Sequence, residues 1–189
     1  MKGKTVFTRE AGWRNVKGMG MSVRFPVTDN HRSYDLSSIV EQYSQLKMKH
    51  GWEIFAQNGG VWGKQKENPA WERGFMKAVS GDESPLSYLQ ASNCYHHLRE
   101  YTDETVHVLP QAVLDDAYAC TLDLFGTWPF GKQIRSFNPL FFYDSLFHPA
   151  VVSFTFHLEG RPIIQKHIHR FAHGSYELKT LTCTWASVS

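Results

Sequence analysis

The most regular alternation of apolar and polar positions lies in the last forty residues. "VVSFTFHLE", "PIIQKHIHRFA" and "YELKTLTCTWASV" repeat with period two and are separated by "GR" and "HG". That pattern predicts three strands in an antiparallel meander. At the other end, "MSVRFPV" (21–27) is a short strand signal. "YDLSSIVEQYSQLKMKHG" (34–51) carries Ile39, Tyr43 and Leu46 at helical spacing. Ser38 and Glu41 there form a capping-box pattern, and Gly51 is placed to end the helix. "WEIFAQNGGVWGKQ" (52–65) predicts a hairpin, because Asn58-Gly59 supplies the positive φ angles of a tight turn.

Between these ends the spacing of apolar residues is helical. Asn68-Pro69 opens a predicted helix with Trp71, Phe75 and Val79 on one side and Gly81 closing it. Ser84-Pro85 opens a second, striped by Tyr88, Ala91, Tyr95 and Leu98. "LPQAVLDDAYACTLDLFG" (109–126) predicts a third, burying Val113, Ala117, Cys120 and Leu124 and leaving Asp115 and Asp116 to solvent. "GTWPFGKQIRS" (126–136) is a loop broken by glycine and proline, and "NPLFFYDSLFHP" (138–149) a short apolar helix. The expected fold is α+β. It has an N-terminal β-α-β-β unit that fits half of a ferredoxin-like fold, a helical middle and a C-terminal three-stranded antiparallel meander.

Composition narrows the class without naming a function. With 189 residues, 42% of them hydrophobic, the chain is expected to form one globular domain, 1–189, with a sizeable core. Aromatic residues make up 14%, and the net charge is only +2. A polyanionic partner is therefore neither demanded nor excluded by charge alone. Cys94, Cys120 and Cys183 are odd in number and widely spaced, which fits a reducing compartment rather than a disulfide framework. The sequence has neither a signal-peptide pattern nor a membrane-spanning run, so a cytoplasmic protein with no membrane partner is expected.

Candidate chemistry concentrates in "QKHIHRFAHG" (165–174). His167 and His169 are two apart on a predicted strand, so their side chains project from one face. His157 on the preceding strand is the natural third member. Pairing of Leu158 with Ile163 would turn it away, whereas a one-residue slip would bring all three together. Against a metal site stands the lack of any Asp or Glu on this strand to orient an imidazole. The plain expectation is a solvated polar face. The site expectation is acid–base chemistry by His167 and His169, with no metal ligand and no cofactor assigned. "CYHH" (94–97) places Cys94 and His97 one helical turn apart, but with no second paired motif it reads as a buried cysteine and a surface histidine.

Basic and aromatic residues interleave near the N-terminus, in the 126–136 loop and in the meander. Rings that stack on bases beside cations that neutralise phosphates suit single-stranded nucleic acid or structured RNA. The residues expected to make such contacts are Trp128, Phe130, Lys132, Arg135, Lys166 and Arg170. The leading expectation is a nucleic-acid-binding protein, in a ribonucleoprotein or mobile-element assembly with other protein subunits, with weak histidine-dependent nuclease activity. The alternatives are a non-catalytic subunit or inhibitor docking on a protein, and a small metalloenzyme using the strand histidines.

Overall fold

A computed structural model describes residues 33–102, 112–122, 136–157 and 163–187, and these form an α+β fold built on antiparallel sheets. The chain begins with β1 (Tyr34–Asp35), α1 (Ser37–Val40), β2 (Leu46–Met48), β3 (Trp52–Gln57), β4 (Gly60–Gln65) and β5 (Asn68–Glu72). A 3-10 turn (Phe75–Ala78) leads into β6 (Val79–Gly81) and the long helix α2 (Pro85–Arg99). Next come β7 (Ala112–Leu114), α3 (Asp116–Thr121), β8 (Leu140–Tyr143), β9 (Pro149–His157), β10 (Ile163–Phe171) and β11 (Leu178–Ser187). One sheet has the order β1-β3-β4-β5. A second runs β11-β10-β9-β7, with β8 also on β9, and β2 pairs with β6 as a separate ribbon.

Three expectations are met in detail. The 52–65 hairpin turns at Asn58 and Gly59, whose φ angles are +50° and +67°, and pairs Trp52 with Gln65 through Gln57 with Gly60. Helix α2 starts where Ser84 caps it. The Ser84 hydroxyl accepts from the Ser87 amide at 3.2 Å, and Pro85 takes the first position, where an amide donor is not needed. The C-terminal meander forms as β9-β10-β11.

Several expected helices are not helices. Over 34–51 only Ser37–Val40 is helical; beyond it come turns and then β2. Ile39, Tyr43 and Leu46 are buried as expected. They are brought inward by a run of three-residue turns, in which the amides of Ile39, Gln42, Tyr43 and Leu46 donate to the carbonyls of Leu36, Ile39, Val40 and Tyr43. A three-residue repeat puts side chains on one side much as a helix does, so the spacing cannot separate the two. The helix on which the ferredoxin-like half depends is thus one turn long, and the 21–27 strand lies outside the described residues.

The 68–81 stretch forms β5, the 3-10 turn and β6 instead of one helix. Asn68 accepts from the Ala70 amide at 3.2 Å in a local turn, and Trp71 stands exposed with its ring edge-on to Phe55 at 4.9 Å. Of the third helix only Asp116–Thr121 is helical within the described residues. Ala112–Leu114 is strand, Ala117 and Cys120 are exposed, and Leu114 and Ala119 take the core positions. Asp115 is the cap, accepting from the Tyr118 amide at 2.7 Å, and Asp116 accepts from the Phe137 amide at 2.6 Å. The stretch from Leu140 is β8. Asp144 turns it back by accepting from the amides of Leu146 and His148, so the apolar run becomes one arm of a hairpin with β9.

Helix α2 lies at the centre, with nine of its residues buried, from Ser87 to Leu98. Tyr88, Ala91, Cys94 and Leu98 join Ile39, Tyr43, Ile54, Val61, Phe75 and Val79 in the main core, which Val151, Phe171 and Tyr176 extend to the second sheet. A smaller cluster of Leu114, Ala119, Phe137, Phe154, Phe156 and Ile164 packs beneath the other face of that sheet. No helix among the described residues is long and apolar enough to cross a membrane.

The entry to α2 is tied down by Tyr176. Its hydroxyl accepts from the Glu83 amide at 2.9 Å and shares a 2.7 Å hydrogen bond with Ser87. Residue 81 must be glycine for this ring to fit, since a Cβ there would come 2.5 Å from the Tyr176 hydroxyl and 2.6 Å from the Gln45 carbonyl. Gly81→Ala should therefore lower stability by about 1–3 kcal/mol, read from the urea midpoint at unchanged slope. Gly74→Ala, whose Cβ would meet nothing closer than 3.5 Å, should cost less.

Candidate functional site: a buried histidine cluster

Strand β10 is antiparallel to β9 in a register that pairs Ile163 with His157, Gln165 with Thr155, His167 with Ser153 and His169 with Val151. On the other side it pairs His167 with Thr182 and His169 with Thr180. This is the register that puts His157, His167 and His169 on one sheet face. That face is covered by α2, which corrects the expectation of a solvated strand surface. His167 is 4% exposed and His169 0%. The third member is His96 of α2, 6% exposed, in the place expected of His157. Ligand nitrogens of His96, His167 and His169 lie within 4.8 Å of one another. Ring centroids are 4.6 Å apart for His96 and His167, and 4.7 Å for His96 and His169.

Hydroxyl groups surround the three imidazoles. Ser92, one turn before His96 on α2, is hydrogen-bonded to Nδ1 of His169 at 2.8 Å. Ser153 meets Nε2 of His96 at 3.2 Å. Thr182 and Thr155 hold Nδ1 and Nε2 of His167 at 3.0 and 2.7 Å. Thr155 also reaches Nε2 of His157 at 3.1 Å, so His157 is joined to the cluster through a hydroxyl. One nitrogen stands apart: Nε2 of His169 is buried and has no hydrogen-bond partner among the described residues. Tyr95 closes the cluster on one side, its ring 4.9 Å from His169 and edge-on.

Burial sets the charge state. It holds His96 well below the usual imidazole range, with repulsion from His169, His167 and Arg99 adding to the effect. Burial first, then His157 and Arg99, pushes His167 down to about 4. His169 is pushed down to about 3 by burial, then by His167 and Arg99. At neutral pH all three rings are uncharged, and each keeps a lone pair.

The remaining expected site residues are dispersed. Trp128, Phe130, Lys132 and Arg135 lie outside the described residues. Lys166 and Arg170 point away from the histidines, as their even positions require. Arg170 is tied within the fold: its Nε lies 2.6 Å from Asp144, and it donates to Nδ1 of His148 at 2.8 Å. Lys166 holds its ammonium 5.1 Å from the ring centre of Trp185, which is 42% exposed. Of "CYHH", Cys94 is buried in the main core and His97 faces the Tyr43 hydroxyl at 3.5 Å. His96 between them is the one that joins the cluster. The available signal was its spacing of four from Ser92, which places a hydroxyl and an imidazole on one helix face. The chain matches no family model, no curated protein and no solved structure.

The depressed values have a definite sign in stability. Above pH 6.5 the histidines are neutral in both the folded and the unfolded chain. As the pH falls below 6.5 the unfolded chain takes up protons that the folded one refuses, so stability is lost towards pH 4 and below. Each histidine should contribute up to about 1.4 kcal/mol per pH unit in that window. Metal-free protein should show a urea midpoint that is level from pH 8 to 7 and drops steeply from 6 to 5, less steeply in His169→Gln. A midpoint unchanged between pH 7.5 and 5 would show that the cluster is not neutral and buried in solution.

Proposed function

We propose that this chain is a transition-metal-binding protein whose centre is His96, His167 and His169. The observation that supports this reading is the convergence of three neutral, buried imidazoles from two elements, one with a nitrogen that has no partner among the described residues. Such a nitrogen is costly to leave unmet, and a metal ion would satisfy it. Side-chain rotation would bring nitrogens at most 4.8 Å apart onto a sphere of about 2.0–2.1 Å radius around an ion. Three nitrogen donors with no carboxylate suit zinc and its borderline neighbours over magnesium or calcium. Ser92 and Thr182, each on a Nδ1, occupy the outer positions that orient ligating histidines. When bound, the ion would supply a Lewis-acidic centre that also clamps α2 to the sheet.

A second reading is binding of single-stranded nucleic acid or structured RNA, and the Lys166–Trp185 pair favours it. An ammonium held over an exposed indole on an outer sheet face is the pairing that contacts a phosphate and stacks a base. Acid–base chemistry by His167 or His169 on such a strand has no geometric support, since α2 covers both.

Metal-free protein titrated with zinc or cobalt(II) at pH 7.5 should melt roughly 5–10 °C higher at saturation. Cobalt should also give the visible absorption of a nitrogen-ligated site. His169→Gln and His96→Gln should abolish both responses, while His157→Gln keeps them. Zinc, cobalt, nickel and copper all leaving the melting temperature unmoved would sink the metal reading. For the second reading, affinity for a generic single strand should fall with salt with a log–log slope of about −0.7 per phosphate contact. Lys166→Ala/Trp185→Ala should weaken binding and flatten that slope; equal retention of the strand by this variant would count against it.

A further inference from the structure

An open cleft of about 530 Å³ lies between the β3–β4 turn, the start of the 3-10 turn and the C-terminal end of α2. Its volume is in the range of small-molecule sites, about 300–1,000 Å³. Three rings, Trp62, Phe75 and Tyr95, and two cations, Arg73 and Arg99, line it. Each guanidinium sits over a ring, Arg73 at 5.6 Å from Trp62 and Arg99 at 5.8 Å from Tyr95. Among the described lining residues the two guanidiniums face one carboxylate, Glu177, whose oxygen lies 4.0 Å from a Lys77 ammonium that Glu72 holds at 2.8 Å.

The walls are held in place before any ligand arrives. The Trp62 indole donates to the Gln57 carbonyl at 3.1 Å and lies over Gly60, where a Cβ would come 2.8 Å from its nitrogen. Tyr95 is stacked on Phe75 at 5.5 Å and an interplanar angle of 12°. Fixed rings beside fixed guanidiniums select a planar ring that carries a compact anion. Phosphate satisfies two arginines better than a carboxylate does, because it offers three oxygens to their forked donors.

We propose that this cleft binds a nucleotide unit, its base against Trp62 or Tyr95 and its phosphate between Arg73 and Arg99. The unit is either a free nucleoside monophosphate or the phosphorylated end of a single strand. The site uses none of the three histidines and neither Lys166 nor Trp185, so the variants that test it differ from those that test the readings above.

Calorimetric titration of the full chain with adenosine monophosphate, adenosine, inorganic phosphate and benzoate tests the assignment. The nucleotide should bind more tightly than either of its halves and more tightly than benzoate. Arg73→Gln and Trp62→Leu should each weaken it by roughly tenfold or more. Lys166→Ala/Trp185→Ala should leave the affinity unchanged, and circular dichroism should show that all variants are folded. A 5′-phosphorylated oligoadenylate that binds tighter than the monophosphate identifies the strand end as the source, and the reverse order identifies the free nucleotide. No heat from the nucleotide, benzoate binding as tightly, or full affinity in folded Arg73→Gln would overturn the proposal.

Discussion

Helix α2 meets the second sheet through imidazoles and hydroxyls where most helix–sheet contacts use hydrocarbon. His96, His167 and His169 are taken out of water there, and an imidazolium in that place would be stripped of its hydration. The rings must stay neutral, and their buried nitrogens call for hydroxyl partners. Ser92, Ser153, Thr155 and Thr182 answer that need from both layers. Nε2 of His169 is a buried polar atom that has no hydrogen-bond partner among the described residues. The folded state therefore depends on proton concentration at this seam, and a metal ion there would act on the same contact.

The same helix joins the rest of the molecule. Its start is bound to Tyr176, and Gln90 donates to Ser44 and accepts from the Gln45 amide, tying it to the turns after α1. Its far side packs Cys94 and Leu98 into the main core, where burial raises the Cys94 thiol far above its ordinary range and leaves it inert. Tyr95 stands between two places of interest, stacked on Phe75 in the cleft and edge-on to His169 in the seam. One ring thus forms a wall of both, and a change in its packing would be felt on either side. That adjacency is a property of the helix, since Ser92, Tyr95, His96 and Arg99 share one face at spacings of three and four.

What the sequence determined by itself was local. Asn58-Gly59 specified its turn because few other pairs accept two positive φ angles. Ser84-Pro85 specified the start of α2 because cap and ring act on their own backbone. Period two placed His167 and His169 on one face whatever lay opposite. Tertiary pairing decided the rest. The apolar runs at 68–81 and 140–143 are compatible with helix or strand, and they became strand because β4, β2 and β9 offered edges for their amides. The register of β9 against β10, one residue from an arrangement that turns His157 away, came from pairing across the sheet. That His96 and not His157 completes the cluster, and that the histidine face is buried, depended on where α2 was laid down. No spacing within a strand carries that information, because the residue that covers it lies some seventy positions away along the chain.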